Sequence, residues 1–455
     1  MILSTNNLNF ILGLVEASSI DKKVKNSFIE LKKIFLDKFE NNHEYKKIFK
    51  LLEKNKFNVE EAKKLFDLET KNLFFNLVIM VCYLDSFSDK EITWIKNIAE
   101  KMNFPISTID NYISEMQSLY ENVIHKDPLY WFEKMMKGYI HYLVTNQNNY
   151  EGYFSFRHLY FVTNGRINKF LLFLKQILYS ESKFKNSLTI LGDKSEKVID
   201  NLKNNGIHAF SELLPEELII KLYNFALDNK CYEIKSEKGY MDCFNDESVF
   251  FKDLDIKSSR YDYKHKELNN NLDIIEIGLK YNLVQLSELF TRTNVVYNLP
   301  FMWWTTTTED SKHSYTGQVF HIDIDRIESL LFIIFLVDID SNNGPHTYVK
   351  GSHKNKPVHL LEDRRMNKDE LIDFYGQDNF VSVKGKKGSV IVIDPLGYHK
   401  SENLISGDRL VLKLNFSSDW FGEDIQSIKI DNINSVNYLK EKSINYPNLF
   451  GKLDF

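Results

Sequence analysis

His321, Asp323 and His399, with Arg409 behind them, are the residues of this chain whose types and spacing point to chemistry. They lie in two segments, VFHIDIDR (Val319 to Arg326) and IVIDPLGYHKSENLISGDR (Ile391 to Arg409). Side chains of an extended segment alternate faces, so His321 and Asp323 project to one side, and His399 has to join them from a distant strand. Two imidazoles and one carboxylate on one face of an octahedron leave three positions open. That arrangement suits non-haem Fe(II) chemistry, in which O2 and a bidentate co-substrate take the open positions. Asp325 is a rival carboxylate on the same face but one step further from His321, which favours Asp323. His313 and His353 have no carboxylate at chelating spacing and stay outside the metal set. Arg409 has two readings. Its guanidinium takes the far carboxylate of an organic diacid such as 2-oxoglutarate, or it is a surface arginine opening a strand after the Ser-Gly-Asp turn. Ser401 and Asn403 share the face of His399 if the segment is extended, where they orient the diacid or satisfy a turn.

Such a site needs a β framework, and the texture of the chain supplies one from about Gly206 onward. Short runs such as NVVYNL, ESLLFIIFLVDID, NFVSVK, GSVIVID and RLVLKLNF are separated by Gly, Asn, Asp and Pro clusters. This pattern predicts an antiparallel sandwich or jelly roll. Leu330 to Val337 is apolar at every position, which predicts a central strand covered on both faces. IHAFSELLPEELIIKLYNFALDN reads as an opening strand and a capped helix, and KGKK (Lys384 to Lys387) as a solvated hairpin turn. From Leu8 to Ser180 the apolar residues recur every three or four positions, which predicts an α-helical bundle. Ser88 and Glu91 form a capping box before TWIKNIAEKM, and Ser107 is a candidate cap before IDNYISEMQSLY. The polar stretch GDKSEKVIDNLKNN marks the expected boundary. The fold class expected is α+β and multidomain, with a helical domain over 1–192 and a β-rich domain over 193–455.

At 455 residues the chain suits two or three domains and can bury an active site. A net charge of −5 and the lack of a basic stripe argue against nucleic acid as a partner. No apolar run reaches the roughly 18–20 residues needed to cross a bilayer, so no membrane partner is expected. The first residues lack the charged start of a signal peptide, and Cys82, Cys231 and Cys243 are in no metal-binding spacing. Both observations predict a reducing, cytoplasmic setting.

Two resemblances add to this reading. Asn76 to Ile113, with Asp85, Ser88, Asp89 and Glu91 in a short acidic turn, resembles TerB-like helical domains, although capping and solvation explain the same residues. Residues 200–425 resemble the phytanoyl-CoA dioxygenase family. The likeness rests on His321-x-Asp323, on GPHTYVKGSH (Gly344 to His353), and on His399-x-Ser401-x-Asn403 with Arg409 behind it. Lys350 departs from the proline usual before Gly-Ser-His. The resemblance implies a double-stranded β-helix in which His321, Asp323 and His399 bind Fe(II), and Arg409 with Ser401 binds 2-oxoglutarate. It further implies an oxygenase that uses O2 and releases succinate and CO2. The retained Asp323 favours hydroxylation, because related halogenases have a small residue there. The expected substrate is a small or carrier-bound organic molecule, with the helical half capturing substrate or contacting a protein partner. Trp303, Trp304, Tyr315, His346 and Tyr348 are candidates to line the pocket, with aromatic packing as the rival role. The competing functions are a cupin-like metalloenzyme that does not use 2-oxoglutarate, and a binding protein working through its helical half.

Overall fold

The structure is a computed structural model that describes residues 4–38, 43–122, 127–176, 188–234, 244–254, 260–307, 318–354 and 356–455. His313, Tyr315 and Cys243 lie outside the described residues. The chain forms two compact units. The first comprises Met1–Tyr179, Asn355–Asp363 and Trp420–Asp424, and the second Ser180–Lys354, Arg364–Asp419 and Ile425–Phe455.

The first unit is helical: α1 (Thr5–Ala17), α2 (Lys22–Lys38), α3 (His43–Lys54), α4 (Val59–Leu65), α5 (Leu68–Tyr83), α6 (Asp89–Lys101), α7 (Ile106–Asn122), α8 (Pro128–Thr145), α9 (Tyr150–Val162) and α10 (Arg166–Gln176). Every residue of α5 from Phe74 to Tyr83 is buried, as befits a helix apolar all round. The Ser88 capping box forms, with Glu91 accepting from the Ser88 backbone N–H at 2.8 Å. Ser107 is not a cap. It sits inside the first turn of α7, where the Pro105 carbonyl accepts from Thr108 and Ile109, because proline preceding the helix already has a compatible φ. The two later segments are tied to this unit by polar contacts. Asn164 donates to the Lys356 carbonyl at 2.8 Å, Arg157 pairs with Asp363, and Asn148 donates to the Trp420 carbonyl at 2.6 Å.

The second unit contains β1 (Thr189–Ile190), β2 (Asp193–Lys194), α11 (Ser195–Asn205), β3 (Ile207–Ala209), α12 (Glu216–Asp228), β4 (Lys230–Ile234), β5 (Phe244–Phe250), β6 (Arg260–Asp262), α13 (His265–Asn269), α14 (Leu272–Lys280), α15 (Leu283–Thr291) and β7 (Val296–Thr306). It continues through β8 (Ser329–Phe335), β9 (His346–Val349), α16 (Lys368–Tyr375), β10 (Phe380–Val383), β11 (Val390–Ile393), β12 (His399–Ser401), β13 (Asp408–Ser417) and α17 (Ile433–Asn445). The polar stretch GDKSEKVIDNLKNN folds as β2 and the amphipathic α11, which buries Val198 and Leu202. The helix α12 opens after Pro215 with no side-chain cap, so the cap expected there is absent and the fixed φ of proline starts the helix instead.

A large sheet runs β3-β11-β8-β13-β7-β6-β4-β5, and a small one runs β10-β9-β12, with antiparallel neighbours in both. The strand β8 shows how the layers form. Leu330, Phe332 and Ile334 join the core that α12, α14, α15 and α17 build on one face. Leu331, Ile333 and Phe335 face the other way, into a core shared with Tyr348 and Val383 of the small sheet. All seven residues of β8 are buried, as expected for a strand covered on both sides. The result is a double-stranded β-helix. Among the described residues, no helix is long and apolar enough to cross a membrane.

Candidate functional site

The His-x-Asp segment is pinned to the strand that carries the second histidine. His321 and His399 exchange backbone hydrogen bonds at 3.1 and 3.0 Å, and the Asp323 N–H donates to the Pro395 carbonyl at 2.9 Å. Ser352, in the Gly-Ser-His turn after β9, is buried and accepts from the Tyr398 N–H at 2.8 Å, fixing the approach to His399. Gly397 is required there, since a Cβ would lie 1.9 Å from the Tyr348 hydroxyl.

Among the described residues, His321, Asp323 and His399 are the one set of metal-ligating side chains found together, with one donor atom from each lying within 4.8 Å of the others. Asp325 is not in that set. The Nδ1 of His321 lies 2.9 Å from the Val319 carbonyl, and the Nδ1 of His399 lies 2.9 Å from the Gly397 carbonyl. A ring nitrogen can bond a carbonyl only as N–H, so both rings carry a proton on Nδ1, and Nε2 is the nitrogen of each that faces Asp323. The Asp323 oxygens lie 3.7 Å from His321 Nε2 and 3.6 Å from His399 Nε2. Burial, with His399 second, pushes the His321 imidazole down to about 3, so the ring stays neutral. Burial would raise the Asp323 carboxyl, but His399, Lys413 and His321 outweigh it and hold the group well below the usual carboxylate range.

Arg409 is 3% exposed and lies on β13 opposite Thr305 of β7. Its Nη1 donates to the Gly344 carbonyl and its Nη2 to the Thr305 hydroxyl at 3.1 Å, while its Nε has no partner. Gly344 permits this approach: its φ is +76°, and a Cβ would lie 2.8 Å from Arg409 Nη1. Burial, with the nearby Arg260, pushes the guanidinium down to about 9. The reading of Arg409 as a surface residue is excluded by this burial.

Ser401 ends β12 opposite His346 of β9 and is half-buried. Asn403 lies past the end of β12 and is exposed, so the alternation that would carry it to the face of His399 stops at Ser401. The aromatic candidates divide between the two cores. Trp303 faces the inner core under Arg260, whose guanidinium lies 4.6 Å from the ring. Trp304 stacks on Phe251 at 4.0 Å in the outer core and donates to Tyr263. Tyr348 is fully buried and donates to the Asp394 carbonyl. His353 contacts the Lys203 carbonyl and stays outside the metal set. Sequence reasoning missed Lys413, whose Nζ lies 3.8 Å from Asp323 Oδ2. The signal was present, because residues 409, 411 and 413 of one strand share a face.

The family comparison reads the same segment. Residues 285–410 match the model of the phytanoyl-CoA dioxygenase family. That stretch contains His321, Asp323, His399 and Arg409. The cofactor and co-substrates of this phytanoyl-CoA dioxygenase-type region are Fe(II), 2-oxoglutarate and O2, and the residues present fit them. Two imidazole Nε2 atoms and a carboxylate within reach of one another suit Fe(II), and a buried guanidinium lacking an anion suits the far carboxylate of the diacid. The match supports a 2-oxoglutarate-dependent oxygenase in general. No curated protein matches the chain by sequence. Solved structures similar to it include SnoK, the non-haem alpha-ketoglutarate-dependent carbocyclase of nogalamycin biosynthesis, at 14% identity over 51% of this chain and 87% of that one, with a TM-score of 0.37. AviO1 from Streptomyces viridochromogenes Tue57 is 17% identical over 52% of this chain and 99% of that one, with a TM-score of 0.35. The apoform of EctD from S. alaskensis is 14% identical over 54% and 85%, with a TM-score of 0.37. Likeness at that level assigns neither reaction nor substrate.

Proposed function

We propose that this protein is an Fe(II)- and 2-oxoglutarate-dependent dioxygenase that hydroxylates a small or carrier-bound organic substrate. The observation that carries this reading is Arg409. A buried guanidinium without an anion, on the strand that also brings Lys413 to Asp323, needs a carboxylate from outside the chain. His321, Asp323 and His399 hold the metal, and Arg409 with Ser401 holds 2-oxoglutarate. Fe(II) and 2-oxoglutarate, when bound, convert O2 into an oxidant able to take hydrogen from a C–H bond. The chain supplies Nε2 donors fixed by their Nδ1 hydrogen bonds and a carboxylate, Asp323, held below the usual carboxylate range. The presence of Asp323 supports hydroxylation over halogenation. We also propose residues 193–455 as the catalytic domain and residues 1–192 as a helical domain for substrate capture or protein contact. A cytoplasmic setting accords with the buried free thiols of Cys82 and Cys231.

Anaerobic addition of Fe(II) and 2-oxoglutarate to the full chain is expected to produce a weak visible charge-transfer band. Properly folded protein that gives no band would sink this reading. Asp323→Ala should remove the band and succinate release together, and retention of both would move the ligand role to Asp325.

A further inference from the structure

His346 opens β9, paired with Ser401 of β12 on one side and Val383 of β10 on the other. Its side chain is 8% exposed, and its ring centroid lies 5.6 Å from that of His399. It is nevertheless outside the group of donors close enough to share one ion. His399, Arg409, His321 and Lys413 all bear on it. An imidazole has an N–H to donate in either of its neutral tautomers and when protonated. Its Nε2 is buried and has no partner, and the same holds for the Nε of Arg409. The two residues are structurally linked, since Arg409 donates to the carbonyl of Gly344, two positions before His346 on the same segment. Buried polar groups are almost always satisfied, so Arg409 Nε and a His346 Nε2 that carries its proton call for an acceptor from outside the chain.

We infer that His346 is a co-substrate-binding residue, donating a hydrogen bond from Nε2 to the same distal carboxylate of 2-oxoglutarate that Arg409 takes. The inference rests on the proposed function. Its consequence is selectivity: the pocket favours a 2-oxo diacid over a 2-oxo monoacid by more than Arg409 alone provides.

The test is anaerobic titration calorimetry on the full chain loaded with Mn(II), using 2-oxoglutarate and 2-oxobutanoate. The second compound keeps the chelating 2-oxo acid but lacks the distal carboxylate. His346→Met removes the donor and His346→Gln keeps one. His346→Met is expected to weaken 2-oxoglutarate by about 10- to 100-fold, the range for a hydrogen bond to a charged group, with Mn(II) and 2-oxobutanoate affinities unchanged. His346→Gln should recover at least part of the loss. An affinity for 2-oxoglutarate within about twofold of wild type in His346→Met, or an equal loss for both acids, overturns the inference. If His346→Met fails to fold, His346→Leu takes its place in the comparison with His346→Gln. Arg409→Ala separates the two levels. If it leaves 2-oxoglutarate affinity intact the proposed function falls, whereas loss there with a silent His346→Met removes only the His346 contact.

Discussion

Among the arginines buried in the described residues, Arg166 and Arg409 are hidden to nearly the same degree and for opposite reasons. Arg166, in the helical unit, is 1% exposed and has a partner at every nitrogen: Glu115 at 2.9 and 3.2 Å, Asn76 at 3.2 Å and the Thr163 carbonyl at 3.3 Å. Burial would raise the Glu115 carboxyl, yet Arg166 holds it below its usual value. Arg409, in the β unit, is 3% exposed and has a carbonyl, a hydroxyl and an unpartnered Nε. A guanidinium whose anion is part of the chain belongs to the fold. One whose anion is missing from the chain keeps its charge for a ligand, and its cost to the free protein is the condition for binding.

Substitution at each arginine tests that contrast. Arg409→Ala is expected to lower the apparent affinity for 2-oxoglutarate by at least about 100-fold, read by succinate release, without lowering the melting temperature. A fall in melting temperature comparable to that of Arg166→Ala would erase the distinction. Arg166→Ala, which strands Glu115, is expected to cost about 3–5 kcal/mol of stability in urea unfolding, and Arg166→Met with Glu115→Leu should recover most of it. Lys413→Met removes the cation beside Asp323, and the expected loss is about 10- to 100-fold in Fe(II) affinity, measured by anaerobic titration against a chelator. An unchanged affinity would make Lys413 a substrate contact instead.

The smallest effect belongs to Asp85, a charge in the helical unit that has like-charged neighbours. Burial, and then hydrogen bonding to Asp21, raises its carboxyl to about 7. A raised acid holds its proton in the folded state while the unfolded chain has released it. Stability should therefore fall as pH rises from about 4 to about 7 and level off above that. Asp85→Asn should flatten this slope and raise the melting temperature at pH 8 by about 2 °C.

Much of the site was legible because its signals are local. His321-x-Asp323 needs only the period of an extended segment, and the apolar run of β8 announces burial on both faces. The capping box at Ser88 is likewise a three-residue interaction. Ser107 was misread because a serine before an apolar repeat looks the same whether or not Pro105 has already started the helix. Asn403 was assigned by extending an alternation past the point where β12 ends, and where a strand ends depends on its neighbour. Lys413 carried a readable signal in its spacing from Arg409, but the spacing does not say that Asp323 lies opposite.

The sequence by itself determined the donor types, the two-residue spacing of His321 and Asp323, and the change from helical to extended periodicity, since each follows from neighbours a few residues apart. Only the tertiary structure decided that His399 returns beside His321, that Asp323 rather than Asp325 joins them, and that Arg409 is buried without an anion. Those outcomes depend on strand pairing across the small and large sheets, where residues distant in the chain take their positions from register and burial.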